Sequence, residues 1–235
     1  MIVNAKNYTY SSLNEAINKY KTLTITGACG ERFIATGASG GTVTIEGVPG
    51  NALASYLNGA SVIVKGDVQD AVGDTMNDGK IIVYGSAGDA LGYSMRGGEI
   101  YVEKCAGYRA GIHMKEYGDK KPLIVIGGAA GSFLGEYQAG GVIVVLNLFG
   151  GDNLLKECGT GMHGGKIFVR GVCPQGLPEQ VNVTAATDTD MAEIKKHVDN
   201  YCKYFGFNAA EIMDSPFYVL KPNSQNPYKR LYCSN

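Results

Sequence analysis

The residues that could do chemistry in this 235-residue chain fall into three groups. The first is Gly159-Thr160-Gly161-Met162-His163-Gly164, spaced G-x-G-x-x-G. In dinucleotide-binding proteins that spacing lets backbone amides approach a pyrophosphate, but it needs a strand before it and a helix after it. Here an alternating aliphatic segment, Ile167-Phe168-Val169, follows instead, so the stretch reads as a corner loop. The second group is Cys158, His163 and His113, donor types that bind zinc. A zinc site needs paired donors and a fourth ligand, which this sequence does not provide, so all three are expected to be ordinary loop residues and no metal or cofactor site is expected in the chain. The third is Asp70, Asp74, Asp78 and Asp89, which could supply the paired carboxylates of a polysaccharide-cleaving enzyme. Aspartate at turns more commonly accepts from backbone amides, and that is the reading preferred here, with a carbohydrate-active protein as the outside alternative.

What must position these residues is a repeat. The phrase aliphatic-any-aliphatic occurs eight times, opening at Leu23, Val43, Val62, Ile81, Ile100, Ile124, Ile143 and Ile167. The openings are separated by 20, 19, 19, 19, 24, 19 and 24 positions, a 19-residue unit with two insertions of five. Period-two alternation of β-branched residues marks strands. Glycine recurs at fixed offsets from the opening residue. It stands four positions on in Gly47, Gly66, Gly85 and Gly128, and seven on in Gly50, Gly88, Gly107 and Gly131. It stands eleven on in Gly73, Gly92, Gly111 and Gly135. Expected glycines are missing at Gln69, Lys104, Asn147 and Leu154.

A 19-residue unit is too short for strand, crossover helix and loops, which together need about 30 residues. The chain must instead wind around an axis, with glycine supplying corners and close approach between coils. The expected fold is an all-β, single-stranded, right-handed parallel β-helix of about eight coils. At about 4.8 Å per coil the stack is roughly 35–40 Å long.

Both ends carry helical patterns. Ser12-Leu13-Asn14-Glu15 reads as a capping box opening a short helix within residues 8–21, which would cover the first coil. After a Pro/Gly/Val-rich link at 172–183, Thr187 to Asp190 offers helix caps. Met191, Ile194, Val198, Tyr201, Cys202 and Phe205 then form one apolar stripe before Gly206. A short helix at Ala209 to Met213 and an extended tail from Phe217 follow. The organisation expected is a capped β-helix over residues 1–171 and a C-terminal helix and tail over 172–235, packed together as one domain.

The middle residues of the strand phrases should point outward, yet Ile63, Ile82, Tyr101, Val125, Val144 and Phe168 are apolar. Six such residues on adjacent strands exceed what a soluble monomer leaves exposed, so they form a docking surface for partner chains or for the chain's own C-terminal helix. The two insertions, around 112–121 and 155–164, are loops on one flank.

Composition narrows the class. The formal net charge is −1, without a long basic cluster, which excludes a general attraction to nucleic acid or an anionic membrane. The start has neither a signal-peptide pattern nor a spanning apolar run, and six dispersed cysteines without a CxxC fit reduced thiols in a cytoplasmic protein. Homo-oligomerisation stays open.

The repeated glycine pattern, clearest in Gly85-Ser86-Ala87-Gly88-Asp89-Ala90-Leu91-Gly92 and Gly128-Ala129-Ala130-Gly131-Ser132-Phe133-Leu134-Gly135, resembles the GXGXG β-helix domain at the C-terminus of the glutamate synthase large subunit. Similar domains occur in the β-helical subunit of formylmethanofuran dehydrogenase and in methylglutamate synthase-like complexes. The Ile194-Lys195-Lys196-His197-Val198 helix, with Phe217-Tyr218-Val219-Leu220-Lys221-Pro222 and Tyr228-Lys229-Arg230, is most similar to the end of the glutamate synthase subunit. The resemblance implies a split enzyme. Its glutaminase nucleophile, an N-terminal cysteine, is absent because the chain begins Met1-Ile2. Its FMN and iron–sulfur cluster would sit on a partner chain, since a β-helix filling 235 residues leaves no room for the barrel that binds them. The function implied is a non-catalytic structural subunit, a spacer between a glutaminase chain and an FMN/iron–sulfur synthase chain that together convert glutamine and 2-oxoglutarate to glutamate. The alternative is a scaffold subunit of one of the other redox complexes.

Overall fold

A computed structural model of the chain describes residues 1–150 and 155–223. Eight strands carry the eight phrases: β2 (Thr22–Cys29), β3 (Thr42–Val48), β4 (Asn58–Lys65), β5 (Asp78–Val83), β6 (Glu99–Val102), β7 (Leu123–Ile126), β8 (Ala139–Val145) and β9 (Gly164–Arg170). Each pairs in parallel with the next, so the fold is a parallel β-solenoid of about eight turns.

Register explains the stability of the stack. Leu23, Val43, Val62, Ile81, Ile100, Ile124, Ile143 and Ile167 lie one above another, as do the residues two positions on, Ile25 through Val169. All are buried in one continuous core. Burial of a β-branched side chain contributes about 1.5–3 kcal/mol, and a slip of one residue would turn every one of them outward. The 24-residue coils keep this register, so their extra residues are pushed out as loops.

The repeated glycines divide by offset into two physical classes. Those eleven positions into a coil, Gly73, Gly92, Gly111 and Gly135, have φ of +64° to +71°. A Cβ on Gly73 would also lie 2.7 Å from Ile100 Cδ1, and one on Gly92 2.6 Å from Ile124 Cδ1, so these positions face the core. The glycines four and seven positions in, from Gly50 and Gly66 to Gly128 and Gly131, have ordinary φ; Gly47, at φ +121°, is the exception. Here the preceding coil's backbone lies where a side chain would go: Gly66 against the Gly47 carbonyl, and Gly131 against Gly107. The left-handed region is not reserved for glycine, contrary to what the repeat suggests. Ala90 and Ser94 flank Gly92 at φ +55° and +51°, and Arg109 and His113 flank Gly111 at +59° and +55°. Alternate residues therefore send their amides to opposite neighbours: Ala90 to Tyr108 in the next coil, Gly92 to Val72 in the previous one, Ser94 to Ile112 in the next.

Both ends depart from expectation. The first helix, α1 (Tyr10–Tyr20), starts earlier than Ser12, with Thr9 as its cap and Ser12 reaching back to the Thr9 amide. Thr9 satisfies the same orphan amides one turn sooner, and Leu13, Ala16 and Ile17 then cover the core. A strand too short to read from periodicity, β1 (Ile2–Asn4), pairs with β2. At the other end β10 (Val181–Ala185) lies in what reads as a link, and the supposed tail from Phe217 is strand β11 (Phe217–Pro222). β11 runs antiparallel between β9 and β10, closing an 11-stranded sheet. Tyr228-Lys229-Arg230 and Leu154 lie outside the described residues. Between β10 and β11 the chain forms α2 (Asp188–Phe205) and α3 (Ala209–Met213). Among the described residues no helix is long and apolar enough to cross a membrane.

Candidate functional site

The outward apolar stripe is occupied by the chain itself. Tyr101, Val125, Val144 and Phe168 are fully buried beneath α2 and α3, packed with Ile194, Val198, Tyr201 and Ile212 and with Val219 of the adjoining strand β11 in a second core. Ile82 is 6% exposed, between Lys80 and Tyr84, which meet Tyr204 and Phe205 at the end of α2, and Ile63, one coil further, is half-buried. From Tyr101 onward this surface is therefore closed to a partner. Helix α2 presents the face expected of it and ends at Gly206, a left-handed cap at φ +80°.

Polar bonds register α2 on the sheet. The Tyr201 hydroxyl donates to the Glu103 carbonyl at 2.7 Å, in space that a side chain on Gly127 would fill. Burial pushes that phenol well above its ordinary pKa, and the same holds for Tyr101, which bonds Glu99 and Asn200. At the start of the helix Asp190, 5% exposed, accepts from the Thr187 hydroxyl at 2.8 Å, from Lys221 at 3.0 Å and from Lys166 at 3.3 Å. Burial alone would raise its carboxyl. The bonds from Thr187 and from the two lysines outweigh burial and hold it far below the carboxylate range.

The aspartates serve the coils. Asp70 Oδ1 accepts the Asp89 amide at 2.9 Å, and Asp89 Oδ1 accepts the Tyr108 amide at 2.8 Å, each one 19-residue unit on. Asp74 accepts from Thr75, and Asp78 from the Gly79 amide and from Lys120, whose ammonium is the main reason its carboxyl sits low. These four do not form a facing pair of catalytic carboxylates. Cys158 is enclosed in the core, and burial pushes its thiol up to about 12. His113 stacks on Tyr137 at 5.1 Å and meets Tyr93 edge-on, an aromatic row in which Tyr93 and His113 are exposed and Tyr137 half-buried, while the His163 ring lies 3.2 Å from the Gly161 carbonyl. Among the described residues no three His, Cys, Asp or Glu side chains converge as a metal site. The Gly159–Gly164 loop precedes β9 and no helix follows it, so it lacks the dinucleotide geometry.

One concavity stands between the first insertion and α2. The insertion turns back at Tyr117 and Lys120, which exchange backbone bonds. It is pinned on one side by Glu116 accepting the Gly141 amide at 3.0 Å and on the other by Lys120 bonding Asp78. The cavity it walls off measures about 390 Å³, with Pro122, Leu123 and Val142 as its floor and Glu99, Glu193 and His197 facing the loop. Periodicity did not single out Asp119, Lys121 or His197. The signal was the insertion itself, since five residues that no coil needs are held rigidly in one place.

Comparison with known proteins fits this architecture. The chain is 40% identical over 250 residues to an uncharacterized protein of Methanocaldococcus jannaschii, covering 99% of this chain and 96% of that one. The family model described as the GXGXG motif matches residues 2–222, from β1 to the end of β11. The chain belongs to the GXGXG motif family, that of the glutamate synthase C-terminal domain.

Proposed function

We propose that this chain is a non-catalytic structural subunit of a glutamate synthase-type complex, a rigid spacer between a glutaminase chain and a synthase chain. The observation that carries the reading is the in-register stack of eight parallel strands, braced along one face by α2 and α3 and extended at its edge by β11. Such a body holds two active sites in fixed relation where a linker could not. In the reaction class proposed, ammonia released from glutamine must reach 2-oxoglutarate at a flavin, so the separation of the two centres matters. FMN and the iron–sulfur cluster belong to the partner chain in this reading. The five described cysteines do not suit a cluster: Cys158 and Cys202 are buried in different cores, Cys29 and Cys105 are exposed, and Cys173 is half-buried. With the apolar stripe covered, the contact face falls on the flank carrying Tyr93, His113 and Tyr137.

The test is purification of the chain from its own cells, with mass spectrometry of what accompanies it and an absorbance spectrum. A glutaminase chain and a yellow-brown flavin and iron–sulfur chain are expected, and a Tyr93→Ser/Tyr137→Ser variant should lose them while remaining folded. A chain that elutes alone and colourless overturns the reading; a molybdenum- or tungsten-binding companion transfers it to another redox complex.

A further inference from the structure

We propose that the cavity between the first insertion loop and α2 binds a small zwitterion of amino-acid size, one ammonium and one carboxylate on a short carbon frame. The charges decide the class. Glu99 is already paired with Lys80 at 3.2 Å and Glu193 with Lys166 at 2.6 Å. Asp119 and Lys121 line the same wall, two positions apart, and neither makes an ion pair or side-chain hydrogen bond among the described residues. A simple anion would satisfy Lys121 alone and a simple cation Asp119 alone. A ligand carrying both signs satisfies both at once.

Two further features suit such a ligand. His197 lines this cavity with its ring, and because its Nδ1 is enclosed in protein, a ligand meets the remainder of the imidazole. Its surroundings favour the uncharged imidazole: burial first, against the opposing pull of Glu99. The floor of Pro122, Leu123 and Val142 is apolar and buried, which accommodates a short side chain but not a second charge. At about 390 Å³ the cavity takes a small metabolite and not a nucleotide cofactor or peptide. The walls are pre-formed, because Lys120 and Glu116 fix the loop to strands three coils apart, so little ordering accompanies binding.

This inference does not depend on the complex proposed above, and it is tested on the purified chain alone. Titration calorimetry with the twenty free amino acids at up to 10 mM is expected to find at least one that binds. Its N-acetyl and carboxamide derivatives, each lacking one charge, should bind at least tenfold more weakly. Asp119→Asn and Lys121→Gln, both at exposed positions, should each weaken binding at least tenfold without lowering the melting temperature. Silence across the whole panel overturns the proposal. So does binding that survives both substitutions, or binding in which either blocked derivative equals the free amino acid.

Discussion

Asp70 Oδ1 fills the space that a side chain on Gly88 would need, and from there it accepts the Asp89 amide at 2.9 Å. The glycine of one coil and the aspartate of the coil before it are thus one device. Asp89 and Gly107 repeat it a unit later. Gly88→Ala should displace the carboxylate and cost about 1–3 kcal/mol. Asp70→Ala should cost about 1 kcal/mol for the lost bond. Together they should cost less than the sum, with a coupling of about 0.5–3 kcal/mol by urea denaturation. Strict additivity would show the two to be independent.

Ala90 tests the other glycine class from the opposite side. It holds φ at +55°, a conformation that costs an L-residue about 1–2 kcal/mol. Ala90→Gly relieves that strain, offset by about 0.5–1 kcal/mol of added unfolded-state freedom. The melting temperature should hold or rise, the reverse of most glycine substitutions. A loss above about 1 kcal/mol would mean that the methyl group's packing outweighs the strain.

The helix-covered stripe predicts a gradient along the sheet. Phe168 is fully buried beneath the C-terminal segment, so Phe168→Ala should cost about 3–5 kcal/mol. Ile63, half-buried beyond the reach of α2, should lose under about 1.5 kcal/mol on Ile63→Val. Thermal unfolding of both variants reads the difference. Equal losses would contradict the observed cover.

Asp190 and His197 make the C-terminal segment acid-sensitive by separate routes. The folded Asp190 carboxyl sits below its unfolded value near about 3.9, so its stabilisation is present above that pH and is lost as pH falls through the folded pKa. His197 is also lowered on folding, which costs nothing above about pH 6.5 and destabilises as pH falls below it. Asp190→Asn should lower stability by about 1–3 kcal/mol at pH 7, with the gap to wild type narrowing below about pH 4. His197→Gln should flatten the loss that begins near about pH 6.5. Parallel pH curves for either variant would remove that residue from the account.

The solenoid was legible because its coils repeat: Ile81 and Ile100 occupy equivalent environments, so each copy strengthens the inference from the others. Glycine's two roles were not separable in the sequence, since Gly88 and Gly92 look alike until the stacked coil shows that one lacks room and the other needs a left-handed backbone. β1 has three residues, too few to display a period, and β11 reads as a tail because nothing local in Phe217 to Pro222 announces which strand it will meet. The cavity escaped for a similar reason. Asp119 and His197 are brought to one cavity only by the docking of α2, a long-range event that no spacing encodes.

The reversal of strand direction at β11 also governs what the molecule can join. A column of parallel coils is open-ended in principle, since each edge offers the pattern that would accept another copy. Here β11 runs against β9 and β10 runs against β11, so the last edge strand again points the way of the coils, while β1 at the other edge offers three residues. Two opposed strands and not another coil therefore end the described column, and an incoming copy would meet a lone five-residue strand with no turn of the solenoid behind it.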